Sequence, residues 1–157
     1  MHRFILLAVA AVSVAACSKT PTNATATFEP KSGSQITGTA TFDEAGGSTS
    51  ITIAAKAMAP GKHAVAIHEK GDCTGANAAA VGNRFQPGGD KEGGLLGELE
   101  AGADGTGTLK VTSSKLTVAP GDRSVVGKSI VISGDPANPG SLTTFGIISC
   151  GVIEAAH

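Results

Sequence analysis

Short alternating runs of apolar and polar residues, each closed by a glycine or proline turn, recur from Ala26 to Ala155. Alternation with a period of two is the signature of a strand with one buried face. The first two runs are Ala26 to Glu29 and Ser34 to Asp43. Gly46-Gly47 marks a turn, and Ser48 to Met58 follows with Ile51 and Ile53 on one face. Pro60-Gly61 breaks that strand before His63 to His68. Gly71 to Gly94 is a long glycine-rich connection with no convincing helix. Leu95 to Glu100 and Gly107 to Ser113 read as a hairpin across Ala103-Asp104-Gly105. Ser124 to Ser133 holds a strand around Ile130-Val131-Ile132, Ser133 to Thr144 is a second loop, and Phe145 to Ala155 closes the chain. About eight short strands with two long connections predict an all-β antiparallel sandwich or barrel. With 22 glycines and neither Trp nor Tyr, the composition suits many strands joined by tight turns.

The amino end reads as a targeting segment. Met1-His2-Arg3 gives a short positive end, and Phe4 to Val14 is an apolar run too short to span a bilayer stably. Val14-Ala15-Ala16-Cys17 then matches the lipobox of bacterial lipoproteins, which predicts a signal peptide over 1–16 and lipidation at Cys17. An ordinary secretory signal with a coincidental cysteine is the alternative. Residues 17–26 follow as the lipidated cysteine and a flexible polar tether, and a domain over 27–157 completes the chain. Several acyl chains on one cysteine give stable membrane anchoring where a single chain does not. Ser18 after the cysteine points to the periplasmic face of the outer membrane as the destination.

Without the leader, 141 of the 157 residues remain, enough for one domain with a core. They carry 11 basic and 13 acidic residues. No basic run and hardly any aromatic surface speak for nucleic acid. Of three cysteines, lipidation of Cys17 leaves Cys73 and Cys150, an even pair in an oxidising compartment. A disulfide and two buried free thiols both remain open on this arithmetic.

The chemistry-bearing stretch is Gly61-Lys62-His63-Ala64-Val65-Ala66-Ile67-His68-Glu69-Lys70-Gly71-Asp72-Cys73, joined near the carboxyl end by Cys150-Gly151-Val152-Ile153. Together they resemble the copper/zinc superoxide dismutase family, in which the strand reads G-x-H-G-x-H-x-H-E-x-G-x-C. The resemblance implies an eight-stranded Greek-key barrel from about Thr27 to the end, with two long loops and a disulfide between Cys73 and Cys150. In the chain-entropy model a bond over that separation contributes about 4–5 kcal/mol.

The resemblance also implies a copper site, which one-electron cycling of superoxide requires and which imidazoles suit as donors. His68 matches one copper ligand. Ala66 stands where another belongs, on the same side of the strand. The bridging histidine of a G-x-H-F-x-P segment is replaced by Arg84 in Gly82-Asn83-Arg84-Phe85-Gln86-Pro87, and the fourth ligand by Ser133. On the zinc side, Leu95 takes a histidine's place in Leu95-Leu96-Gly97-Glu98, with Glu98 in the position of the zinc aspartate. A lone carboxylate does not make a structural zinc site, which needs about four ligands. Ile147 replaces the arginine that guides the anionic substrate. His63 corresponds to a structural histidine that bonds to backbone. Arg84 is expected either in solvent or over the old site, paired with Glu98 or Asp72.

These substitutions predict an exported dismutase-like lipoprotein without dismutase activity, holding no metal and serving a non-catalytic envelope role. Two alternatives stand beside it. One is a periplasmic copper/zinc dismutase still active through residual metal binding. The other is a weak copper or zinc carrier that uses His68 with Glu98, Asp72 or Met58. The membrane is the expected partner, through the lipid; a second copy of the chain or an active dismutase are further candidates.

Overall fold

In the computed structural model, which describes residues 20–134 and 146–156, alternation marks the early strands, whereas two late ones, Ser129–Gly134 and Gly146–Val152, are buried in continuous runs. β1 (Asn23–Pro30) turns Ala24, Ala26 and Phe28 inward and Thr25, Thr27 and Glu29 outward. β2 (Thr37–Ala45) and β3 (Ser48–Lys56) do the same with Ala40 and Phe42, and with Ile51 and Ile53. β4 (Gly61–His68) buries His63, Val65 and Ile67; β5 (Leu95–Ala101) and β6 (Gly107–Ser113) follow. β7 (Ser129–Gly134), β8 (Gly146–Val152) and the two-residue β9 (Glu154–Ala155) complete the set.

The strands pair antiparallel in the order β2-β3-β6-β5-β4-β7-β8-β1, and β1 returns to β2 to close an eight-stranded barrel. β9 is an extra strand that continues β8 past the buried Ile153 and pairs with β1 at Ala24 and Thr25. The jump from β3 to β6 is the Greek-key crossing. Two seams are thin: β5 meets β6 only at Ala101 and Gly107, and β1 meets β8 at two residue pairs. The main core fills the interior with Phe28, Phe42, Ile51, Ile53, Ile67, Leu99, Ile130, Ile132 and Ile148. Burying one such side chain contributes about 1.5–3 kcal/mol.

One boundary shifts. The domain starts at Asn23 rather than residue 27, because Ala24 and Ala26 are buried and residues 23–28 pair with β2. Residues 23–26 therefore belong to the barrel, not the tether. The hairpin turn is as expected: Gly105 has φ +74° and its N–H donates to Gly102 at 3.0 Å. The long connection contains only two single 3₁₀ turns, Ala79–Val81 and Pro87–Gly89. The leader and Cys17 lie outside the described residues.

Cys73 and Cys150 form a disulfide with Cα atoms 5.7 Å apart. It ties the connection after β4 to β8, inside a second small cluster with Ala78, Val81 and Val131. The loop after β6 is tied down by a carboxylate. Glu44 accepts hydrogen bonds from the N–H groups of Val118 and Ala119 at 2.7 and 2.8 Å.

Candidate functional site

Of the residues that face away from the core on β4, Ala64, Ala66 and His68 together floor a cleft on the barrel's outer wall. Its other walls are Arg84, Leu95, Gly97, Glu98 and Ser133, and its volume is about 450 Å³. Each wall is set by backbone pairing. Ser133 of β7 lies directly across from Ala64, and Glu98 of β5 lies across from the same residue on the other side. A register shift between Val65 and Ala66 then brings Leu95 opposite Ala66. Such a bulge re-aims side chains. Here it buries Leu96 and leaves Leu95 43% exposed at the cleft.

Beyond Ala66, the loop takes over the edge of β4 that β5 has left. Ile67 donates its N–H to Gly94 at 2.8 Å and accepts from Phe85 at 2.8 Å, while Glu69 and Lys70 bond to Asn83 and Val81. Gly94 must be glycine, because a Cβ there would collide with the Phe85 and Ile67 carbonyls. This pairing sets Arg84 directly across from His68, so both side chains reach the same face.

Three polar side chains of the cleft, His68, Arg84 and Glu98, have protein partners. His68 Nδ1 lies 2.9 Å from the Gly82 carbonyl oxygen. Because a carbonyl only accepts, Nδ1–H is the donor of this bond, and in the neutral tautomer Nε2 is the acceptor. One terminal nitrogen of Arg84 contacts Glu92 at 3.3 Å, with 40% of the arginine side chain exposed. The expected partners of Arg84 were Glu98 and Asp72, and both are otherwise engaged. Glu98 pairs with Lys62 at 3.0 Å, and that carboxylate holds the ammonium pKa above its ordinary 10.5. Asp72 accepts from the hydroxyl and N–H of Thr74, which hold its pKa below 3.8. Glu92 sits eight residues beyond Arg84 in an irregular loop, where no sequence period announces a contact.

Of the residues singled out in the sequence, the fold gathers His68, Ala66, Arg84, Leu95, Ser133 and Glu98 around one cleft. Ile147 is not among them. It faces Ser133 across the β7–β8 ladder but packs on the disulfide cluster. Met58 is 4% exposed in the main core, which removes it as a ligand beside His68. His63 is fully buried and its Nε2 donates to the Ala59 carbonyl at 2.9 Å. Ala64 and Gly97 complete the cleft unannounced, although Ala64 shares a face with Ala66 by simple alternation.

A copper or zinc centre does not fit this donor set. Among the described residues, no group of three or more His, Cys, Asp or Glu side chains is placed to hold a metal ion. The cleft offers one imidazole, a carboxylate already paired with Lys62, and a guanidinium cation that repels any metal.

Comparison with known proteins agrees with the fold and sharpens the contrast at the cleft. The crystal structure of the clock protein EA4 superposes with a TM-score of 0.74 at 20% identity, covering 91% of this chain and 100% of that one. At that identity the likeness speaks for the fold alone. The family model described as copper/zinc superoxide dismutase matches residues 36–153, a span that includes the β4 strand, both cysteines of the disulfide and every wall of the cleft. A barrel closed in Greek-key order, its disulfide and that match lead to one conclusion: the chain belongs to the copper/zinc superoxide dismutase family.

Proposed function

We propose that this protein is a non-catalytic member of its family, a lipid-anchored envelope protein that keeps the barrel and has given up dismutation. The observation that carries the reading is the make-up of the cleft wall. Ala66, Arg84, Ser133 and Leu95 stand where the family resemblance calls for imidazoles, and all four line the same cleft with His68. Superoxide dismutation requires a centre that gains and loses one electron. None of these side chains does so, and one histidine holds copper weakly. Function resides in the site and not in the barrel.

Anchoring rests on Val14-Ala15-Ala16-Cys17. With β1 starting at Asn23, the chain from Cys17 reaches at most about 20 Å at roughly 3.5 Å per residue. The barrel then sits against the membrane surface instead of ranging far from it. Labelled palmitate should enter the wild-type protein and not Cys17→Ala.

The test of the non-catalytic reading is a superoxide consumption assay. The protein is loaded with copper and zinc, then desalted so that free copper does not contribute. The expected rate equals that of the buffer control. A rate proportional to protein concentration would overturn the reading.

A further inference from the structure

We propose that the cleft over β4 and β5 is a binding site for a small organic acid that joins an apolar, ring-sized body to a carboxylate and a hydroxyl. The proposal rests on the reading that no metal fills this cleft. Three observations carry it.

The first is size and lining. About 450 Å³ is far more than a single oxyanion needs and falls in the range of small-molecule pockets. Ala64, Ala66, Gly97 and Leu95 give an apolar wall, and Leu95 is the exposed large hydrophobic side chain among the described residues. A ring laid on these methyl groups would remove that surface from water.

The second is Arg84. Its contact with Glu92 is a single 3.3 Å approach by one terminal nitrogen to a carboxylate that is 68% exposed. Exposed pairs of this kind are weak, so a ligand carboxylate exchanges with Glu92 at little cost. A carboxylate met end-on would engage the two terminal nitrogens together, a bidentate geometry in which arginine excels. Glu98, the remaining anion of the wall, is held by Lys62 at 3.0 Å and offers little repulsion.

The third is His68. Its Nδ1–H is committed to the Gly82 carbonyl, so Nε2 offers a lone pair beside Arg84. An acceptor next to a cation selects a ligand that has a donor next to an anion. A hydroxyl on the carbon that carries the carboxylate, with a ring attached to the same carbon, meets both demands.

The probe is mandelate, titrated into the ¹⁵N-labelled protein in the presence of a chelator, with benzyl alcohol as the partner lacking the carboxylate. Saturable amide shifts are expected at residues 64–68, 84, 95–98 and 133, with benzyl alcohol at least about tenfold weaker (roughly 1.4 kcal/mol). Arg84→Gln should weaken the acid about tenfold and leave benzyl alcohol unchanged, and Ala66→Phe should abolish both. Absence of saturable shifts for the acid would overturn the proposal. Equal affinity for the two probes would overturn it as well, by reducing the cleft to an unselective apolar contact. Because the chelator is present throughout, copper binding in a separate loading experiment bears on the non-catalytic reading and leaves this result legible by itself.

Discussion

The two faces of β4 answer to different demands. Facing inward, His63, Val65 and Ile67 are fully buried, and each is held by neighbours that cannot move without opening the barrel. Facing outward, Ala64, Ala66 and His68 floor the cleft, where a side chain answers to the site and hardly to the fold. The family resemblance places the family's metal-binding imidazoles on or across from this outer face, whereas the inner face here carries His63 and branched residues. Because residues one apart on a strand lie on opposite sides, a metal site can be dismantled there without disturbing the core.

The first way to break this comparison is through the disulfide. Paired replacement of Cys73 and Cys150 by alanine should cost about 4 kcal/mol in denaturant unfolding under oxidising conditions. A loss below about 1 kcal/mol would mean that the loop carrying Arg84 is held by its hydrogen bonds alone. The next test compares adjacent residues. Ile67→Ala should cost about 3 kcal/mol through the cavity it leaves, and Ala66→Ser less than about 0.5 kcal/mol. Similar costs for the two would erase the distinction between the faces.

Smaller effects sharpen it. Glu44→Gln keeps the shape but removes the charge that accepts from Val118 and Ala119. It should cost about 1–2 kcal/mol, with amide exchange quickening in the loop after β6. Arg84→Ala should lower stability by less than about 1 kcal/mol, since its ion pair is exposed, and Lys91→Ala by nothing measurable. A larger loss at Arg84 would assign it a structural role in the fold.

The smallest effect is a pH limb. The Lys115 ammonium at 2.6 Å holds the Asp90 carboxyl below its ordinary 3.8. A group with a depressed folded pKa stabilises above its unfolded value and loses that contribution as pH falls through the folded one. Asp90→Asn should therefore flatten the stability curve below about pH 4 and slightly lower its plateau above that pH.

How much of this was legible in the residues follows the same division. Strands announce themselves where one face is buried, and the alternation of Ile51 and Ile53 or of Ala24, Ala26 and Phe28 is that signal. The start of β1 was read late because alanines alternating with Asn and Thr look like a polar tether until their burial is seen. The gathering of His68, Arg84, Leu95 and Ser133 was legible only through the resemblance, since they come from four separate segments. The partner of Arg84 was not legible at all. Glu92, Glu98 and Asp72 are equally plausible by charge, and the path of an irregular loop decides among them. Ile147 meets a related limit: a position three residues before Cys150 does not say which side of β8 it serves, and in the fold it packs on the disulfide cluster.

Metal stoichiometry tests the central claim most directly. The purified protein, loaded with copper and zinc and then desalted, is examined by native mass spectrometry or elemental analysis. A cleft walled by alanine, leucine, serine and arginine with one histidine should retain close to no copper or zinc per chain. About one copper per chain would contradict the account and show that ligands are assembled from residues this cleft does not contain.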